Sequence, residues 1–146
     1  MDIVFDVNVL VSSLIGRGKP RQLWLMAVRR EFQLILSRRI VEEFVEVIGR
    51  KKFQRYLAER DVRDFLEALG TTAKIVRTRS RFRVIREDPE DNTILAAAYD
   101  ARADYAVSGD GHLLGLKEFE GTRIVTVGRM LEILRSYPRR PRSILD

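Results

Sequence analysis

The chain has 146 residues, of which 45% are hydrophobic and 33% are charged, values typical of one folded globular domain. It has no cysteine and one histidine, which excludes disulfides, thiol catalysis and two-histidine zinc sites, so any metal must be bound mainly by oxygen. The net charge of +6, carried mostly by arginine, favours a polyanionic partner, although a charge-rich, heat-adapted surface would have the same composition.

The N-terminal half combines short apolar runs with helical periodicities. A buried strand is predicted at Ile3 to Phe5, where the apolar run continues through Val7, Val9 and Leu10 and is interrupted by Asp6. Extended segments are also predicted at Phe32 to Leu36, Lys74 to Val76 and Phe82 to Ile85. Helices are predicted from Pro20 to Val28, from Arg38 to Arg50 after the N-cap Ser37, from Lys52 to Glu59, and from Asp61 to Gly70.

The C-terminal third alternates between helix and strand. Its predicted elements are a helix from Asp91 to Arg102, a strand at Tyr105 to Val107, a short helix at His112 to Leu116, a strand at Arg123 to Val127 and a helix at Arg129 to Leu134. This alternation predicts an α/β domain whose mostly parallel sheet carries helices on both faces. We expect one domain over residues 1–136 and a basic, extended tail over residues 137–146. No apolar run approaches the roughly 20 residues that span a membrane, so a cytoplasmic location is predicted.

Two aspartates follow predicted strands, where the ligand crevice of an open α/β sheet lies. Asp6 interrupts the first apolar run, and an ionised carboxylate there is costly unless a cation or several donors satisfy it; the alternative is that it caps the following turn. Asp110 lies in the segment S-G-D-G-H after the strand at Tyr105 to Val107, and it could equally be ordinary turn chemistry. Ser108 at the same edge could orient a metal-bound water or close the turn.

Two further acids are predicted to point inward from helices. Asp91 shares a helix face with Ile94, Leu95 and Ala98, although a helix N-cap would also account for it, whereas Asp100 lies on the opposite, solvated side. Of the glutamates in the helix after Ser37, Glu43 lies nearest the apolar face.

Convergence of these acids favours a cation site. Carboxylates about 4 Å apart repel by roughly 4 kcal/mol at an effective dielectric of 20, so four of them at one sheet edge need metal or shared protons. Hard divalent cations such as Mg²⁺ prefer oxygen ligands. The sequence therefore predicts an Mg²⁺ or Mn²⁺ centre formed by Asp6, Glu43, Asp91 and Asp110.

The chain resembles the PIN domains, in particular the single-domain prokaryotic ones that include toxin ribonucleases of the VapC type. The resemblance is nearly full-length and rests on V-F-D-V-N-V-L-V-S-S at Val4 to Ser13, E-E-F at Glu42 to Phe44, D-P-E-D-N-T-I-L-A-A-A at Asp88 to Ala98 and V-S-G-D-G-H-L-L at Val107 to Leu114. It implies a three-layer α/β/α sandwich and an acidic site at the same four positions. It also implies that Asn8 helps to position the first carboxylate.

The resemblance further implies an endoribonuclease that hydrolyses RNA phosphodiester bonds and acts as the toxin of a toxin–antitoxin pair. An antitoxin and a second copy of the chain are its expected protein partners. RNA phosphates are expected to bind arginines around the crevice, with single-stranded RNA the favoured target. The candidates are Arg38, Arg39, Arg79, Arg81 and Arg83, of which the last three would share one face of an extended segment.

One departure from the family pattern concerns the single histidine. Many relatives have a second acid two residues after the G-D aspartate, where this chain has His112, so a ligand or an outer partner is missing or exchanged. A histidine that opens a short surface helix is more often structural than catalytic, and we therefore do not assign His112 to the chemistry.

Two rival functions remain open at the level of the sequence. A phosphotransfer domain on a similar sheet is disfavoured, because a phosphatase of this type needs a second aspartate at the position of Asn8 and a receiver domain needs paired acids after the first strand. A non-catalytic RNA-binding or assembly module on the same fold is the second alternative.

Overall fold

A computed structural model describes residues 1–82 and 91–137, with only the backbone of Asp91. Within these residues the strands are β1 Asp2–Phe5, β2 Gln33–Ser37, β3 Ala73–Val76, β4 Tyr105–Val107, β5 Glu118–Phe119 and β6 Thr122–Val125. The helices are α1 Val7–Ile15, α2 Lys19–Val28, α3 Arg38–Ile48, α4 Lys51–Gln54, α5 Glu59–Thr72, α6 Asp91–Ala101, α7 Gly111–Leu116 and α8 Val127–Ser136.

The strands form one sheet in the order β3-β2-β1-β4-β6-β5. All neighbours are parallel except the short β5, which runs antiparallel to β6. The chain first adds β2 and β3 on one side of β1 and then crosses to β4 on its other side, so the strand order reverses between β1 and β4. Helix α6 makes that crossing and packs on β1, β2, β3 and β4.

The remaining long helices pack on one another, α1 against α2 and α3, and α2 against α5 and α8. Right-handed crossovers place these helices and α6 on opposite faces of the sheet, because the chain winds in opposite directions about β1. The predicted mostly parallel, three-layer α/β/α architecture is therefore confirmed.

Aromatic packing anchors the helices on the first face. The Phe44 side chain of α3 is fully buried, and its ring lies 5.6 Å from that of Phe65 in α5. The Phe65 ring in turn lies 4.6 Å from that of Trp24 in α2. One aromatic cluster therefore ties three helices together and fixes the position of α3.

Helix α1 is the main element that the sequence reading missed. In the sequence, Val7, Val9 and Leu10 continue the apolar run of the first strand, so the pattern does not predict a separate helix after it. In the structure β1 ends at Phe5, and the buried residues of α1 include Val7, Leu10, Val11 and Leu14, a spacing of three and four residues typical of a helix. Asp6 is the residue at the junction.

Other boundaries differ less. Ser37 is the predicted N-cap of α3 and accepts a hydrogen bond from the Ile40 N–H at 3.1 Å. Helix α4 ends at Gln54 rather than near Glu59, and the two-residue β5 was not predicted. Within the described residues, no helix is long and apolar enough to cross a membrane. Most of the predicted extended segment at Phe82 to Ile85, and all but Tyr137 of the predicted tail over 137–146, lie outside the described residues.

Candidate functional site

The site lies at the carboxyl edge of the sheet, where the strand order reverses. Asp6 follows β1 directly, and its N–H donates to the carbonyl of Val107 at 3.0 Å. Ser108 follows β4, and its N–H donates to the carbonyl of Val125 at 3.1 Å. Both residues are thus held at adjacent strand ends, in the crevice where open α/β sheets bind ligands.

A cavity of about 180 Å³ opens at this point. Three of the four acids predicted from the sequence, Asp6, Glu43 and Asp110, line it. Its remaining walls are formed by Val7, Asn8, Glu46, Val47, Arg50, Lys52 and Phe53. Segments that are far apart in the sequence therefore bring carboxylates from β1, α3 and the end of β4 to one small cavity.

Asp6 has a raised pKa. Burial raises its pKa above the usual value of 3.8, and the negative charge of Asp110 raises it further. The hydroxyl of Ser108 and the N–H groups of Val7 and Asn8 lower the pKa but do not offset the burial. The folded protein thus holds a carboxylate in a place where its negative charge is costly.

Ser108 connects the two aspartates. Its fully buried hydroxyl donates to Oδ2 of Asp6 at 2.7 Å and accepts from the N–H of Asp110 at 3.0 Å. The hydroxyl proton is donated to Asp6, which fixes the orientation of that carboxylate. The hydroxyl oxygen accepts from the Asp110 N–H, which fixes the path of the turn. Ser108 was predicted either to orient a metal-bound water or to close the turn, and its hydrogen bonds close the turn.

Asp110 combines turn chemistry with exposure to the cavity. Its Oδ1 accepts from the N–H groups of His112 at 2.8 Å and Leu113 at 3.3 Å, which makes it the N-cap of α7. The side chain is 29% exposed and lines the cavity. Capping of α7 and a place at the site are thus compatible, since a carboxylate has two oxygens.

Glu43 occupies the inward position that its helix face predicts. Its side chain is 18% exposed, against 66% for Glu42 and 74% for Glu46 in the same helix. Its Oε1 lies 3.6 Å from Nε of Arg39, one turn earlier in α3. Of the three glutamates, Glu43 lies nearest the apolar face of α3 and is therefore the least exposed, and its side chain lines the cavity.

The fourth predicted acid, Asp91, is the first residue of α6, which runs back from the carboxyl edge of the sheet toward β4. Its backbone is therefore at the same edge as Asp6 and Asp110, while its side chain lies outside the described part of the structure. Within residues 1–82 and 92–137, no group of three or more His, Asp or Glu side chains is arranged so that it could hold a metal ion.

Two smaller predictions concern Asn8 and His112. Asn8 is exposed at the cavity, where its backbone N–H acts on Asp6, and the side-chain hydrogen bond to Asp6 comes from Ser108 instead. His112 is 55% exposed, and its Nδ1 lies 3.7 Å from Oδ1 of Asp110. This position at the start of α7 agrees with a structural role for His112.

Asp100 does not behave as the plain solvated acid that its helical position predicted. Its carboxylate accepts hydrogen bonds from the N–H groups of Arg79 and Ser80, at 2.7 and 3.0 Å, and from the Ser80 hydroxyl. Burial acts to raise its pKa, but these hydrogen bonds and the charge of Arg79 outweigh it and hold the pKa below 3.8. Asp100 is therefore a tether for residues 79–80.

The sequence reading also missed the cations on the cavity wall. Arg50 and Lys52 line the cavity beside the acids, and Arg50 lies 3.9 Å from the exposed Glu46. The signal available was the cluster R-K-K at Arg50 to Lys52, directly after the predicted α3. Because this cluster lies far in the sequence from Asp6, Asp91 and Asp110, the sequence alone does not predict that it lies beside them.

The raised pKa of Asp6 predicts how the stability of the metal-free protein depends on pH. A folded-state pKa above the unfolded value of about 3.8 means that the contribution of Asp6 to stability is fully present below that value and is lost as pH rises through the folded-state pKa. Asp6→Asn has no such loss. In EDTA, we expect its free energy of unfolding to gain on that of the wild type between about pH 4 and neutrality, as measured by urea unfolding; a difference that is constant with pH would contradict this.

The fold and the site define an open α/β domain. Its acidic cavity lies between β1 and β4, where the strand order reverses. The PIN domain family model matches residues 2–112, and the chain belongs to the PIN domain family. PIN domains are generally nucleases and typically use divalent metals, so the fold is of a nuclease type. The crystal structure of PAE2754 from Pyrobaculum aerophilum superposes with a TM-score of 0.60 at 15% identity, covering 94% of this chain and 91% of that chain, which shows the shared fold. A search of curated proteins found no match.

Proposed function

We propose that the protein is a metal-dependent endoribonuclease that hydrolyses RNA phosphodiester bonds at the cavity beside Asp6. The observation that carries the proposal is the meeting of Asp6, Glu43 and Asp110 in one cavity at the carboxyl edge of a PIN-domain sheet. A structural role alone would not require three acids from separate segments at one point.

The donor set fits an Mg²⁺ or Mn²⁺ ion. Asp6 is buried and repelled by Asp110, two conditions that a divalent cation would relieve, and carboxylate oxygens are the ligands that such ions prefer. Asp6, Glu43, Asp91 and Asp110 are the residues that we assign to holding it. When bound, the ion would activate water, polarise the phosphoryl group and stabilise the charge of the leaving 3′ oxygen.

The residues of the chain would supply position and charge. Ser108 orients Asp6 through Oδ2, with further N–H interactions from Val7 and Asn8, and the cap of α7 orients Asp110 through Oδ1. We assign the other oxygens to the cation. Arg50 and Lys52, on the wall of the same cavity, would attract the phosphate that is to be cleaved.

RNA is the proposed substrate because the chain carries a net charge of +6 and places cations beside the acids. A role as the toxin of a toxin–antitoxin pair, with an antitoxin covering the cavity, stays a prediction from the resemblance. The homodimer stays a prediction on the same basis.

A non-catalytic RNA-binding module is the second candidate. One observation favours it: Oδ1 of Asp110 already accepts two N–H groups. This module would bind RNA with and without a divalent ion and leave it uncut.

A cleavage assay separates the two functions. Purified protein is incubated with a mixture of unstructured single-stranded RNAs in Mn²⁺, in Mg²⁺ and in EDTA, and the products are resolved on a denaturing gel. We expect internal cuts with either ion and intact RNA in EDTA. Cleavage that persists in EDTA would contradict the metal-dependent mechanism, and binding without cleavage in any ion would favour the non-catalytic module.

A further inference from the structure

A second cavity, of about 780 Å³, borders α3, as the acidic one does. Three arginines line it, Arg39, Arg79 and Arg81. The other described residues that line it are Thr78, Ser80, Phe82, Asn92, Thr93 and Ala96, several of which offer hydroxyl or amide groups. Such a lining suits a phosphate group, because guanidinium groups and hydroxyls donate hydrogen bonds to its oxygens.

The two cavities share α3. Arg39 lines the basic cavity, and Glu43, one helical turn later, lines the acidic one. The two side chains also form an ion pair at 3.6 Å. The two cavities are therefore lined by side chains one helical turn apart on α3, so an RNA strand that spans them would contact both.

The segment that carries Arg79 and Arg81 has an extended, alternating pattern. Arg79 and Arg81 are exposed, whereas the intervening Ser80 is half-buried. Among the described residues neither arginine forms an ion pair within 4.0 Å, in contrast to Arg39. The charge of Arg79 lowers the pKa of Asp100, and both arginines line the cavity.

Asp100 fixes this segment to α6. Its carboxylate accepts from the Arg79 N–H at 2.7 Å and from the N–H and hydroxyl of Ser80. Asn92, which is 8% exposed and lies at the start of the same helix, forms part of the cavity wall. The arginines are thus presented from a backbone that is tied down, and a preorganised site loses less entropy when its ligand binds.

We propose that this arginine cavity is a phosphate-binding subsite for single-stranded RNA beside the cleavage centre, and that Asp100 is a positioning residue for two of its arginines. The inference rests on the proposed function for its substrate class. It adds the place where the strand continues and the residues that hold it there.

The test measures RNA binding without cleavage. A fluorescent, unstructured single-stranded RNA is titrated in EDTA with the wild type, with Arg79→Gln/Arg81→Gln, and with Arg60→Gln/Arg63→Gln as a control of equal charge change on exposed positions of α5. We expect the first double variant to bind about tenfold more weakly or worse, and its salt dependence to fall by roughly 1.4 in slope, the value for two lost phosphate contacts. The control should bind with a much smaller loss.

Asp100→Asn provides an independent test of the proposed positioning role. The substitution makes the protein more positive by one charge, so an unstructured basic patch would bind RNA at least as tightly as before. A positioned subsite instead loses the negative charge and one of the two carboxylate oxygens that accept from Arg79 and Ser80, and we expect several-fold weaker binding. Circular dichroism and urea unfolding check that each variant is folded.

The outcomes are separable from those of the cleavage assay. Equal losses of RNA binding in the two arginine double variants would overturn the subsite, whatever the nuclease activity. Binding by Asp100→Asn that equals or exceeds that of the wild type would overturn the positioning role. The expected binding losses, together with no cleavage in any ion, would instead support the subsite and contradict the proposed hydrolysis.

Discussion

Asp6→Asn is expected to lower the rate of RNA cleavage by more than about 100-fold in Mn²⁺ or Mg²⁺. The estimate follows from outer partners of metal ligands, whose loss typically costs about 10–100-fold, so the loss of a ligand itself should cost more. Asparagine keeps the size of the side chain and can still accept the hydrogen bond from Ser108, which limits the change to the charge that holds the cation. Single-turnover cleavage of a labelled RNA measures the effect.

The matched control is Asp64→Asn. Asp64 is exposed on α5 and does not line the acidic cavity, so this variant should cut at close to the wild-type rate. Asp100→Asn would be a poor control, because Asp100 tethers residues 79–80. If Asp6→Asn is folded and cuts RNA as fast as Asp64→Asn, the assignment of Asp6 is wrong.

Phe44→Ala is expected to destabilise the fold by about 3–5 kcal/mol, the usual cost of removing a buried phenylalanine ring. Phe44 is fully buried, packs on Phe65, and belongs to the aromatic cluster that anchors α3. Because α3 also carries Glu43 and Arg39, a loosened helix should reduce cleavage as well as stability. Urea unfolding of the purified variant gives the free energy.

Val45→Ala serves as the control, since it is the next residue in α3 and its side chain is 46% exposed. Its free energy of unfolding should lie within about 0.5 kcal/mol of the wild type. Equal destabilisation by both substitutions would contradict the view that the aromatic cluster, rather than the helix itself, holds α3 in place.

The order of strands and helices could be predicted because most elements carry a local signal. Ser37 is a residue type that favours the N-cap position, and the apolar run at Ile3 to Phe5 is typical of a buried strand. Helix α1 could not be separated from that strand, since Val7, Val9 and Leu10 satisfy both periodicities over so short a distance. Tertiary packing of α1 on α2 and α3 decides between them.

Part of the candidate site could also be predicted from the sequence, for a different reason. The ends of parallel strands meet at one edge, so Asp6 and Asp110 could be paired from topology, and helix geometry selected Glu43 over Glu42 and Glu46. The hydrogen bonds of Asp100 could not be foreseen, because they come from residues 79–80 in an irregular segment. The same holds for Arg50 and Lys52, whose proximity to the acids depends on how α4 follows α3.

The central claim is that the acidic cavity binds a divalent cation, and a calorimetric titration with Mn²⁺ in the absence of RNA tests it most directly. We expect the wild type and Asp64→Asn to bind Mn²⁺ with the same stoichiometry, and Asp6→Asn to lose that binding while remaining folded. Equal binding by all three proteins would place the ion elsewhere, and no binding to the wild type would contradict a metal centre in the free protein.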